Sequence, residues 1–182
     1  MTKNVGRFLS VALMVLCFNV ALFAQGSQPD ADTAKAQYLT QLGLLEDCLQ
    51  DGGPSDGMGV QAVLDGSGHM ILDVTIPTLP TIPATGISGQ TRSQLNSILG
   101  QLTTCRNLMI ADKNNFASYA QQGQDAAASA QMYYDTGNYT MAKSKWNMAT
   151  SFVNNAVTAD YLYASQQTQY AGYLADFNAL LP

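Results

Sequence analysis

The chain is poor in the residues that usually carry chemistry. It holds one histidine, one tryptophan and three cysteines in 182 residues, and only 12% of it is charged. A zinc site takes several Cys or His ligands, so His69 and so few thiols disfavour zinc. Ser67 and His69 lie two residues apart in a glycine-rich turn, too close to act as nucleophile and base, and no Gly-x-Ser-x-Gly elbow surrounds them. The stretch Asp65 to Asp73 has the look of a calcium loop, but Met70 stands where that loop needs glycine for its sharp turn. The sequence also lacks a phosphate-cradling loop and a dinucleotide fingerprint. No catalytic residue and no cofactor is therefore expected, and the chain reads as non-enzymatic.

Positive charge is scarce as well. Eight Lys and Arg against 13 Asp and Glu give a net charge of −5, which argues against nucleic acid as a partner. Gln, Asn, Ser and Thr take the place of charge, a surface that suits an exported protein. The opening agrees: Lys3 and Arg7 precede the uncharged run Phe8 to Ala24, and polar Gln25 follows, the layout of a secretory signal peptide over residues 1–24. Its removal takes away Lys3, Arg7 and no acid, so the net charge falls to −7. The run of about 17 residues is at the lower limit for a membrane span, and no stable membrane insertion is expected after cleavage. Cys17 brings lipid attachment to mind, but bulky Leu16 and Phe18 flank it. Cleavage leaves Cys48 and Cys105. In an oxidising compartment these suggest one disulfide, worth on the order of 4 kcal/mol in the loop-entropy model, with two buried free thiols as the alternative.

Apolar spacing then gives the organisation of a single domain over 25–182, mainly α. Tyr38, Leu42, Leu45 and Leu49 lie on one face of a helix expected over 32–50, which Gly52-Gly53-Pro54 ends. Two short apolar runs around Asp65-Gly-Ser-Gly68 predict a small β-hairpin over 59–76. Thr75-Ile-Pro-Thr-Leu-Pro-Thr-Ile-Pro83 repeats every three residues, the period of polyproline II, and predicts a proline-rich strap over 75–88 packed along a helix groove. From 91 to 135 Leu95, Leu102, Met109, Phe116, Gly123 and Ala130 recur every seven residues, interleaved with Ile98, Cys105, Asp112, Tyr119, Ala126 and Tyr133, a coiled-coil-like seam. Gly137 breaks it, and a second helix follows over 138–181. The expectation is a long antiparallel helical hairpin with arms of about 65 Å. A shorter N-terminal helix packs on its open half, as in a three-helix bundle.

At the turn of this hairpin the residues resemble one tetratricopeptide repeat, over roughly 126–149. Ala130 and Tyr133 match its first helix, Gly137 and Tyr139 its turn, and Ala142, Trp146 and Ala149 its second helix. The resemblance implies close helix contact through small residues and, from the family, protein binding. Ser129 and Asn154 depart from the pattern, and steps of 34 residues find no second copy, where arrays need about three. The motif thus speaks for a helical hairpin more than for a binding array.

Two sets of residues stand out as candidate sites. Asp112 and Asp160 fall at one height in the hairpin, where two close carboxylates would raise each other's pKa or attract a metal. The structural alternative is a polar layer that fixes register. Tyr133, Tyr134, Tyr139 and Trp146 crowd the hairpin tip, where aromatics serve protein contacts but pack the turn first. Asn138-Tyr-Thr140 matches an N-glycosylation acceptor at a helix start. The reading is an exported helical module of the cell envelope or exterior, acting by protein contact or self-association. A small-molecule or metal binder is the alternative.

Overall fold

The computed structural model describes residues 26–50 and 52–181. The expected signal peptide, Cys17 included, lies outside the described residues. The fold is mainly helical, with α1 (Gln28–Asp47), β1 (Ala62–Leu64), β2 (Met70–Leu72), α2 (Gly89–Asp135) and α3 (Tyr139–Ala179). It has the long helical hairpin, shorter N-terminal helix and small antiparallel sheet that the spacing predicts, but the first half of α1 packs at the turn of the hairpin and not on its open half, because Ala31, Ala34 and Tyr38 meet the small residues there. Helix α1 begins at Gln28 and not at Asp32 because the Ser27 hydroxyl accepts the Asp30 amide at 3.3 Å, a capping contact that the Ser27-x-x-Asp30 spacing encodes. Ser88 likewise caps α2 through the Thr91 amide at 3.0 Å, two residues ahead of the expected start.

One short turn closes the hairpin. Gly137 adopts φ +75°, a left-handed conformation that glycine takes without a Cβ penalty. The Gly137 and Asn138 amides then reach back to the Tyr134 and Tyr133 carbonyls at 3.0 and 2.9 Å, and the Asn138 side chain accepts the Met141 amide at 3.2 Å. Asn138 therefore ends one helix and caps the next, which is the structural use of the Asn138-Tyr-Thr140 sequence.

The described residues divide into two compact units. The smaller holds 26–40 and 123–151. Its core is built from small residues, Ala31, Ala34, Ala126, Ala130, Ala142 and Ala149, closed by Tyr38 and Trp146 with ring centroids 5.1 Å apart. Short side chains let helices approach closely, so backbone contact replaces side-chain volume. The larger unit holds 41–122 and 152–181. It buries Leu45, Leu72, Leu95, Leu102, Met109, Phe116, Val153, Tyr163 and Phe177. Here the seven-residue series Leu95, Leu102, Met109, Phe116 is fully buried, as its spacing requires. The β-hairpin pairs Ala62 with Leu72 and Leu64 with Met70, and the Asp73 amide still donates to the Gln61 carbonyl at 2.9 Å before the chain runs on into the strap.

Candidate functional site

In the larger unit the two faces of the α2/α3 pair differ. One is covered by the strap, whose residues 74–87 make no backbone hydrogen bonds to other backbone among the described residues. A segment outside helix and sheet has no regular backbone partner, so its carbonyls need outside donors. Helix α2 supplies them. Arg92 donates to the Pro83 and Ala84 carbonyls at 3.0 and 2.8 Å, Arg106 to Pro77 at 3.1 Å and Lys113 to Val74 at 2.8 Å, while the Tyr170 hydroxyl of α3 donates to Thr78 at 2.7 Å. The geometry explains the match between the two repeats. Seven helical residues advance about 10.5 Å, and three residues in the polyproline II conformation that the strap's period predicts advance about 9.3 Å, so cations on one seven-residue series meet carbonyls on a three-residue series. Rising positions 92, 106 and 113 meet falling strap positions, which sets the strap antiparallel to α2.

Beside this face lies a buried polar contact that spacing alone does not show. Asp160 is fully buried, with Oδ1 accepting the Val60 amide at 2.8 Å and Oδ2 facing the Cys48 thiol at 3.5 Å. Burial pushes its carboxyl above the usual range, against the opposing pull of the Val60 amide and the Cys48 thiol. Burial and then the Asp160 charge raise the Cys48 thiol to about 12, so it stays protonated as the donor. Gly59 is obligatory here, since a Cβ would collide with the Asp160 carboxylate. Next to it the Tyr161 hydroxyl donates to Asp56 at 2.6 Å, which lowers the Asp56 carboxyl and lifts the tyrosine to about 12.

The bridge expected between Cys48 and Cys105 is not formed. Both are buried free thiols, and the Cys48 thiol is engaged by Asp160. Asp112 and Asp160 are not brought together either. Asp112 shares a cleft with Ala159, so its height in the hairpin is as read, but Asp160 stands one residue on and about 100° further round α3 and faces Val60 and Cys48. Asp112 is raised by burial alone. Among the described residues no group of three or more His, Cys, Asp or Glu is placed to hold a metal.

The other face of the pair is open. Two clefts lie along it, of about 240 Å³ and 370 Å³. The smaller is lined by Asp112, Asn115, Tyr119, Asn155, Thr158 and Leu162, and the larger by residues that include Gln101, Thr104, Leu108, Gln166, Gln169 and Tyr173. Leu108 and Leu162 are 43% and 47% exposed in the middle of this face. Asp112 is the only charged residue lining either cleft.

In the smaller unit the tip aromatics are engaged internally. Trp146 is buried against Tyr38, and the Lys35 ammonium lies 5.6 Å from the centroids of both Trp146 and Tyr134 while donating to Gln131 at 2.9 Å. Tyr134 packs edge to face on Tyr139 at 5.4 Å and donates its hydroxyl to Asp32 at 2.6 Å. Tyr133, Tyr134 and Tyr139 remain half-buried.

Among the described residues no helix is long and apolar enough to cross a membrane. Comparison with known proteins returns no match, whether with family models, curated proteins or solved structures.

Proposed function

We propose that this chain is an exported, non-enzymatic helical module of the cell envelope or exterior that acts by contact, and that its contact surface is the open α2/α3 face. One observation carries the reading: Leu108 and Leu162 stand about half exposed at the centre of a face that no element of the larger unit covers, while the opposite face is strapped down by five hydrogen bonds. The partner that best fits this face is a second copy. A two-fold contact places a surface against itself, and a nearly uncharged face avoids the self-repulsion that a chain of net charge −5 would otherwise meet. The amides of Gln101, Asn115, Asn155, Gln166 and Gln169 are both donors and acceptors, so they too are self-complementary. The single tetratricopeptide-like turn supports a contact role by family analogy only.

Light scattering on a size-exclusion column tests this. The mature chain should elute at twice its monomer mass, and Leu108→Glu with Leu162→Glu should return it to monomer with its circular dichroism unchanged. A monomer at every concentration would sink the self-association reading. The two clefts favour a second reading, a binder of neutral polar small molecules, for which a thermal-shift panel should raise the melting temperature of the chain and not of a Tyr173→Ala variant.

A further inference from the structure

The strap has a side that its attachments leave unused. Thr75, Thr78 and Thr81, the first residues of its three Thr-(Ile/Leu)-Pro steps, are all exposed, whereas Ile76, Pro77, Pro80, Ile82 and Pro83 are half-buried. Threonines elsewhere behave differently. In the helices Thr33, Thr103, Thr104, Thr150, Thr158 and Thr168 each donate the hydroxyl to the carbonyl four residues back, at 2.7 to 3.1 Å. Those hydroxyls are both occupied and set in a regular helix. The strap hydroxyls make no hydrogen bond within the described residues, and they recur at about 9 Å along a backbone that proline keeps extended. Arg106, Lys113 and Tyr170 hold the strap by its carbonyls, so side chains and not a backbone ladder fix the segment that presents the threonines.

We propose that Thr75, Thr78 and Thr81 are acceptor sites for O-linked glycosylation. A glycosyltransferase needs a projecting hydroxyl on an extended segment, and threonine-rich, proline-rich stretches meet that need. In the reaction Oγ1 attacks the anomeric carbon of a sugar carried on a nucleotide- or lipid-linked phosphate. The bond from that carbon to the phosphate oxygen breaks, the phosphate leaves with the electron pair, and the hydroxyl proton passes to a base of the transferase. A neutral sugar leaves the strap attachments intact. A phosphate on the same hydroxyls would compete with the Val74 and Pro77 carbonyls for Lys113 and Arg106. Sugars on the strap would also shield the covered face and leave association to the open one. The proposal rests on the export reading only in that export brings the chain to such a transferase.

The test is mass spectrometry of the chain recovered from its own source, intact and then by electron-transfer fragmentation of the peptide spanning 75–83. Sugar-sized increments on these threonines are expected. They should vanish in the triple variant Thr75→Val, Thr78→Val, Thr81→Val, which keeps the β-branched shape and should keep the melting temperature. Bare threonines on a chain whose first residues have been removed near Ala24 would overturn glycosylation and leave export standing. Bare threonines on an unprocessed chain would overturn both. Phosphate on the same residues would overturn the sugar assignment.

Discussion

The two units solve the same problem, holding a third element against a pair of helices, by opposite means. In the smaller unit the third element is the first half of α1, which satisfies its own backbone, and alanine lets it come close. In the larger unit it is largely a strap that cannot satisfy its own backbone, and α2 and α3 must supply donors for its carbonyls. The first unit is therefore held by close helix contact with side-chain bonds along its rim, and the second also by bonds made directly to the backbone carbonyls of its third element. A packing mutation should be felt most at the tip, and a charge-removing mutation most at the strap.

Trp146→Ala should give the largest effect. It empties the larger of the two buried rings that close an alanine-lined core and removes the support of Tyr38 and Lys35, a loss of about 3–5 kcal/mol by analogy with other buried aromatics. Trp146→Phe sharpens the point. Among the described residues the buried indole N–H has no hydrogen-bond partner, so phenylalanine keeps most of the ring and removes an unsatisfied donor. Urea denaturation should place it much nearer to wild type than the alanine variant. Equal losses in the two would contradict the view that volume holds the tip.

The strap comes next. Arg106→Gln and Lys113→Gln remove charge-assisted bonds to Pro77 and Val74, each worth about 1.5–3 kcal/mol when partly buried. Protease sensitivity between 74 and 84 should rise more than global stability falls, because the helices beneath keep their own hydrogen bonds. If cleavage stays slow, packing and not the carbonyl bonds holds the strap.

How far the sequence already contained this arrangement differs between its parts. The seven-residue seam, the Gly137 turn and the three-residue strap were readable because each depends on local period or local backbone freedom. Even the strap bonds had a signal, since Arg92, Arg106 and Lys113 lie seven or fourteen residues apart, one helix face facing a three-residue repeat of nearly equal advance. The Asp160 contact had none. It needs Gly59 and Val60 to return to α3 from a hundred residues away, and nothing in the spacing around Asp160 indicates which side of the helix it faces. That is also why one carboxylate layer was expected where the fold sends Asp112 to the open cleft and Asp160 to Val60 and Cys48. The Cys48 to Cys105 bridge failed for a related reason: two cysteines in a chain expected to be exported suggest a pair, but the partner of Cys48 is a carboxylate.

Asp160 provides a smaller change of opposite sign. A carboxyl whose folded pKa is raised contributes most below its unfolded pKa, near 4, and that contribution is lost as pH rises through the folded value. Asp160→Asn keeps an acceptor for the Val60 amide and removes the ionisation. The variant should melt above wild type at neutral pH, and the gap should close as the pH falls toward 4. A gap that does not change with pH would mean that the charge on Asp160 is stabilised by something other than the two donors it has.

The smallest expected effect separates two lysines of the tip. Lys143 meets Asp30 at 3.3 Å with about half of each side chain in water, so Lys143→Ala should change stability by less than about 0.5 kcal/mol, and less still in high salt. Lys35 bonds Gln131 and lies over two rings, where both its charge and its methylene stem have partners. Lys35→Ala should therefore cost more than Lys143→Ala, and salt should erase only part of the difference. If the two variants lose the same amount, the tip is held by its alanine contacts alone, and the contrast with the bonded strap becomes sharper.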